Sequence, residues 1–354
     1  MKGHNIFRVY LLSYLVLTIG GKDIKSINSG ENTEQILIGQ QVNRTIQAED
    51  GDIYDCVSVN EQPTLKHPLL KDHKIQMEPS SFLIGLDIKL PLVSAVSQAQ
   101  LSTIDYPKGT VPILCNNKVD TRMVQRIGML ASDDVQQLSA GIKYWDEVYG
   151  TQASINVYDP KVKKDSEDLS ASWIQIDKVP KDNEELNESC TDHNCPGFVQ
   201  VSRSVGLGGR IQPISIYNGP QYVINVPIFK DPRTKNWWLA YGSNNTPIGY
   251  WPSSQFSLLK DKGDYAFWGG YVQGPTVSSD PPQMGSEHFS YEGFGKAAFF
   301  RNIQVIVDEN NKLVTPNIRN AHPGSSDRKL YTNYGYELND DGMHVYYGGP
   351  GKYS

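Results

Sequence analysis

At 354 residues the chain is long enough for one large domain or two medium ones, and a hydrophobic fraction of 38% with 21 prolines suits a turn-rich folded protein rather than a disordered one. A formal net charge of -6, with no basic block, argues against nucleic acid as a partner. No apolar run reaches the roughly 18 residues that would suggest a membrane span.

Read from the N-terminus, Lys2, His4 and Arg8 precede the apolar run Val9 to Ile19, followed by Gly20 and Gly21. Basic, then apolar, then small residues is the order of a secretory signal peptide, with cleavage expected near Gly20 or Gly21 and an extracellular mature chain. A short buried strand or a retained anchor is the other reading of the same run. In an oxidising compartment the four cysteines, Cys56, Cys115, Cys190 and Cys195, are free to pair. Sequons at Asn43, Asn187 and Asn244 fit the same route, the last weakened by Pro247.

Lys22 to Asp50 is polar with little periodicity and reads as a flexible lead-in. The alternation from Ile53 to Val59 predicts a strand, and the His-Pro and Glu-Pro steps after it predict turns. His67 and His73 have no Cys or carboxylate cluster near them in sequence, and His193 lies between Cys190 and Cys195 without a second cluster, so no metal site is expected. Val124, Ile127, Leu130, Val135 and Leu138 recur among polar residues as a short helix would. Gly150 to Pro160 alternates cleanly and predicts a strand. Strand-like runs follow at Ile214–Tyr217, Tyr222–Val226, Trp237–Ala240, Ala297–Phe300, Ile303–Val307 and His344–Tyr347. Short strands with turns between them and no long helical pattern predict an all-β fold, an antiparallel β-sandwich.

The most distinctive wording lies between Asn236 and Phe294. Trp237-Trp238-Leu239, Gly249-Tyr250-Trp251-Pro252, Trp268-Gly269-Gly270 and Gln283-Met284-Gly285-Ser286 occur there, and Gly348-Gly349-Pro350-Gly351 follows. In this order the motifs resemble the neprosin family, secreted plant proteins whose namesake is a glutamic endopeptidase, from near Gly51 to the C-terminus. The resemblance implies a signal peptide over residues 1–21, a lead-in and activation-peptide-like segment over 22–138 as a small pro-segment, and after it a β-sandwich domain over 139–354. It also implies a local disulfide between Cys190 and Cys195. A Cys56–Cys115 bridge is shifted from the family pattern, because Tyr106 stands where relatives carry the cysteine; a free Cys56 or an intermolecular bond is the alternative.

Catalysis of the family's kind needs two carboxyl groups facing one water, and no metal or organic cofactor. The position directly after Trp268-Gly269-Gly270, a glutamate in the enzymes, is Tyr271 here, and a phenol that titrates near pH ~10 cannot serve as a carboxylate base in acid. Phe267 stands at a neighbouring place where relatives can carry Glu. The segment holding the other glutamate is missing between Trp173 and Cys190, where Glu184, Glu185 and Glu188 read as a solvated acidic loop. Losing sandwich strands there would leave an exposed sheet edge.

The expected function is thus that of a peptidase homologue with no intact catalytic residue, retaining a peptide-binding cleft with Trp251, Trp268, Tyr271 and Met284 as candidate lining. The alternatives are an active acid endopeptidase with another dyad, and an extracellular carbohydrate-binding module. The expected partner is a peptide or protein, and nothing in the sequence sets the oligomeric state.

Overall fold

Apolar and aromatic residues that alternate with small or polar ones, closed by Gly, Pro or Asn, become strands throughout the chain. The computed structural model describes residues 8–11, 42–48, 52–66, 68–85, 96–101, 106–114, 136–163, 166, 168–178, 197–256, 259–339 and 342–351. Strands are numbered in chain order. A small antiparallel sheet near the N-terminus holds β2 (Val42–Gln47), β3 (Ile53–Ser58) and β6 (Thr110–Leu114) in that order.

The body is two sheets face to face. The first has the order β1 (Arg8–Leu11), β9 (Leu169–Asp177), β16 (Tyr265–Gln273), β7 (Gln137–Tyr144) and β19 (Ala321–Ser325), with antiparallel pairing throughout. The second runs β10 (Val199–Gln200), β15 (Thr246–Trp251), β14 (Trp237–Tyr241), β13 (Ile228–Lys230), β8 (Gly150–Asn156), β17 (Ala298–Ile306), β22 (Gly342–Gly348) and β20 (Thr332–Asn333). Beside this path, β12 (Gln221–Asn225) pairs with β8 and, in parallel, with β4 (Val96–Gln98). β18 (Leu313–Val314) pairs with β17, and β21 (Glu337–Asn339) with β22. A two-stranded ribbon joins β5 (Gln100–Leu101) to β11 (Ile211–Gln212).

The expected β-sandwich is therefore the fold. The two sheets meet at Trp268, whose Nε1 donates to Thr151 Oγ1 at 3.0 Å from deep inside the core. Around them pack Ile142, Ile155, Ile174, Phe300, Val345 and Tyr347.

Some elements differ from the sequence reading. Part of the polar lead-in is β2. Gln137 and Leu138 open β7 rather than closing a helix, and the rest of the expected helix, apart from its neighbour Gln136, lies outside the described residues. Ile214–Tyr217 is not a strand: Pro213 has no N–H to give, and Gly219 N donates back to Ile216 O at 2.9 Å to close a turn. The runs Ala297–Phe300 and Ile303–Val307 merge into β17, with a register shift between Phe300 and Ile303 that absorbs the change of phase.

The pro-segment forms a third layer on the outer face of the larger sheet. β14 and β15 pair Trp237 with Trp251 and Trp238 with Tyr250. The period of two sends Trp237 and Trp251 inward and Trp238 and Tyr250 outward. Leu65, Leu70, Ile75 and Leu83 cover the outward pair, and both are fully buried. Two polar fastenings fix the layer. Gln62 Nε2 donates to Gln200 O at 2.8 Å and Gln200 N donates to Gln62 Oε1 at 2.9 Å, a reciprocal pair that mimics a strand rung. Further along, Asp231 accepts from Ser80 N and from Ser80 Oγ at 2.7 Å, and from Gln76 Nε2 at 2.9 Å.

Tyr106, the residue in the cysteine position, packs edge-on against Tyr54 with centroids 6.2 Å apart, in the same apolar cluster as Cys56. Cys56 is buried and unbridged there, and burial pushes its thiol pKa up. Cys115, Cys190 and Cys195 lie outside the described residues.

Candidate functional site: an aromatic groove on the five-stranded sheet

β16 is the central strand of the smaller sheet, paired along its whole length with β7 on one side and β9 on the other. Its even-numbered residues Ala266, Trp268 and Val272 face the sandwich core. Its odd-numbered residues Tyr265, Phe267 and Tyr271 face outward into a groove of about 310 Å3. β9 lines the same groove with Trp173, Gln175 and Asp177, and the β7 side contributes Gln137, Ser139, Lys143 and Trp145.

Midway along the groove, between Phe267 and Tyr271, the facing positions of β16 and β7 are glycines and carry no side chain. Gly269 pairs with Gly141 across β16 and β7, and with Trp173 across β16 and β9. A Cβ on Gly269 would stand 2.3 Å from Ala140 O, and one on Gly141 would stand 2.2 Å from Trp268 O and 2.8 Å from the Phe267 ring. Gly270 serves the opposite face, where Met284 and Tyr347 press to within 2.5 Å of where its Cβ would be. The Trp-Gly-Gly motif is thus a floor with a packing surface beneath it.

Aromatic pairs form the walls. Trp173 and Tyr271 are stacked, with centroids 4.5 Å apart and planes 24° from parallel. Trp145, which is 47% exposed, leans on Tyr265 at 4.5 Å. A polar row runs along β9: Trp173 Nε1 donates to Gln175 Oε1 at 3.4 Å, Gln175 Nε2 donates to Asp177 Oδ2 at 3.2 Å, and Lys178 N donates to Asp177 Oδ1 at 2.8 Å. Tyr271 Oη donates to Gln273 Oε1 at 3.0 Å. At the far side, Ser326 N donates to Ser139 O at 2.8 Å.

Of the four residues expected in a cleft, Tyr271 alone lines the groove. Trp268 and Met284 are fully buried in the core, and Trp251 faces the core from β15 and packs on Phe198. Parity explains the difference for Trp268, an odd number of residues from Tyr271 and so on the other face. Met284 belongs to a clasp between the sheets: it bridges to Gly349 by two backbone hydrogen bonds, and Ser170 Oγ donates to Gln283 O at 2.6 Å. Phe267 lies in the groove, two pleat periods from Tyr271 with Gly269 between them. Trp173, Gln175, Asp177 and Trp145 were not singled out from sequence, although counting by twos from Trp173 reaches Gln175 and Asp177.

Among the described lining residues the carboxyl group is that of Asp177, which is 2% exposed. Glu184, Glu185 and Glu188 lie outside the described residues, as do His67, His193 and Asn187. No cluster of three or more His, Cys, Asp or Glu side chains occurs among the described residues. His73 instead belongs to the pro-segment layer and faces β15, with Nε2 2.8 Å from Tyr250 Oη. Asn244 is exposed in the turn between β14 and β15, whereas the side chain of Asn43 lies outside the description. No described helix is long and apolar enough to cross a membrane.

What this arrangement offers chemically is flat apolar surface, a row of hydrogen-bonding groups beside it and one carboxyl. Comparison with known families gives two matches. The model described as Neprosin matches residues 127–350, and that described as Neprosin activation peptide matches residues 45–143. The second span contains all but the first three residues of the small sheet, and the layer over Trp238 and Tyr250. The first contains both strands that carry Trp173 and Tyr271.

Proposed function

Because the chain belongs to the neprosin family, we propose that it is a peptidase homologue that holds peptide in the aromatic groove with its hydrolytic step impaired. One observation carries the reading: Tyr271 holds the groove position after Trp268-Gly269-Gly270 where the family resemblance puts one of the two glutamates, Phe267 beside it is not an acid, and Asp177 is the one carboxyl among the described lining residues. General base and general acid roles in amide hydrolysis call for two groups around one water. A stacked phenol and indole supply binding surface instead.

The protein enters the secretory route through residues 1–21, which are removed, and works outside the cell. Asn244 is the sequon whose exposure suits glycosylation.

A second reading has its own support. Asp177, oriented by Gln175 and the Lys178 amide, could serve an acid endopeptidase whose other acid lies elsewhere in the chain.

The deciding experiment is an acid incubation of the purified secreted protein with a proline-containing peptide, read by mass spectrometry. The unmodified chain is expected to leave the peptide intact over a period in which an active relative digests it. Cleavage would overturn the impaired reading. Its loss in Asp177→Asn would then assign the second one. Tyr271→Glu restores one acid only and is expected to remain inactive, while the loss of its stack on Trp173 weakens peptide binding.

A further inference from the structure

β9 is nine residues long, Leu-Ser-Ala-Ser-Trp-Ile-Gln-Ile-Asp, and carries no proline, no lysine and no register shift in its pairing with β16. Those are the devices by which sheet edges are usually made unable to accept another strand. Beyond β9, the strand that completes the sheet is β1, antiparallel, with Leu11 opposite Ile174 and Arg8 opposite Asp177. So the last position in this sheet is taken by four residues of the segment that reads as a removable leader.

We propose that the β9 edge is a strand-acceptor site, and that the ligand of the mature protein is an extended peptide of another protein that adds there antiparallel, in the register β1 holds. The proposal rests on the removal of the leader argued above. Backbone hydrogen bonds to β9 would give affinity independent of peptide sequence. Specificity would come from every second side chain, which the two-residue period sets on the groove face beside Trp173, Gln175 and Asp177. The recognised peptide would carry apolar or aromatic residues over Trp173 and its stacked partner Tyr271, and a basic residue opposite Asp177. Lys143, two strands away on β7, stands in the row of Phe267 and Gln175, one pleat short of Asp177, so the basic residue of the peptide would reach Asp177 from the β9 side.

The test uses the secreted protein, its N-terminus determined by sequencing, and a synthetic peptide spanning Asn5 to Ser13. Saturating peptide is expected to slow hydrogen exchange of the edge-facing amides within residues 172–177, the part of β9 it reaches in this register, at least tenfold and to change the fluorescence of Trp173. Two N-methylated versions separate strand addition from simple burial of apolar side chains. Methylation at Arg8 and Tyr10, or else at Val9 and Leu11, should weaken binding more than tenfold, while the other pair has little effect, since alternate amides face the edge. Unchanged exchange in β9, equal effects of both methylated pairs, or β9 protected without peptide by self-association would each overturn the proposal. Should sequencing find Met1 retained, the leader reading falls, and the acceptor site is tested within the chain. Arg8→Pro with Tyr10→Pro, or else Val9→Pro with Leu11→Pro, should then speed β9 exchange tenfold or more, and no change with either pair would overturn it.

Discussion

Asp231 shows how a single residue can set the pH behaviour of a whole layer. Burial alone would raise its pKa, but the Ser80 and Thr234 amides, the Ser80 hydroxyl and the Gln76 amide outweigh burial and hold it at about 2. A carboxyl lowered in the docked state contributes stability that is present above its ordinary value of 3.8 and is lost only as pH falls through about 2. Asp231 therefore keeps this layer fastened at mildly acidic pH. His73 acts in the opposite sense. Burial lowers its pKa from 6.5, so the docked state prefers it neutral, and protonation favours release. The stability it contributes is present above the ordinary value and fades as pH falls from 6.5 toward the lowered value. The protection factors of the Trp238 and Tyr250 amides, which correct for the slower intrinsic exchange in acid, should fall from pH 7 to 4, and His73→Phe should flatten that change. Asp231→Asn, which leaves the Ser80 donors without their carboxylate, should cost about 2–3 kcal/mol at pH 7 and be read as a lower unfolding midpoint in urea. Neither effect was legible in the sequence, where His73 and Asp231 are separated by more than 150 residues and only the tertiary fold brings the Gln76–Ser80 turn onto the β13–β14 connection. Tyr271 was legible, because an ordered motif marks it. Trp268 was misplaced for want of a face assignment that parity from Tyr271 supplies.

At the scale of the element, the pairing of β16 with β7 and β9 depends on three glycines more than on its aromatics. Gly141 and Gly269 let the backbones approach, and Gly270 admits Met284 and Tyr347 from the facing sheet. Gly270→Ala forces atoms that already stand at about van der Waals contact, an overpacking expected to cost about 1–3 kcal/mol, measurable as a drop of several degrees in the thermal midpoint. Gly269→Ala meets backbone rather than a flexible side chain, so it should cost at least as much, and it would also raise the groove floor. The strands themselves were readable, since alternation and turn residues are local. The groove was not, because it is made by the register of β9, β16 and β7, which are distant in sequence. The Ile214–Tyr217 run shows the limit from the other side: its composition is that of a strand, but Pro213 and the Asn218-Gly219-Pro220 turn leave it unpaired with any described strand.

Taken as a whole, the molecule has three layers, with the groove on one outer face and the pro-segment on the other. Plugging of the groove by residues 63–84 is therefore excluded as their role, since they cover Trp238 and Tyr250 on the far side. A protease site inserted between Leu114 and Gln137 should give two fragments that stay together on gel filtration at pH 7, because Leu70, Ile75 and the Gln62–Gln200 pair still join them. Fragments that separate at once would mean the layer is held by the chain connection alone. The sandwich, the pro-segment and their order could all be read from sequence. Their mutual faces could not, because the outward side of β14 and β15 is as apolar as the inward side, and a strand buried on both faces carries no alternation to read.

That doubly apolar hairpin ties the ancestry of the two halves together. A swap that joined this sandwich to the pro-segment of a distant relative would bring Trp238 and Tyr250 against the wrong surface, and the hybrid would be expected to accumulate poorly even with its linker intact. Changes at Leu70, Ile75 or Gln62 would be tolerated best when matched by changes at Trp238, Tyr250 or Gln200, so the two regions are under pressure to vary as one heritable unit.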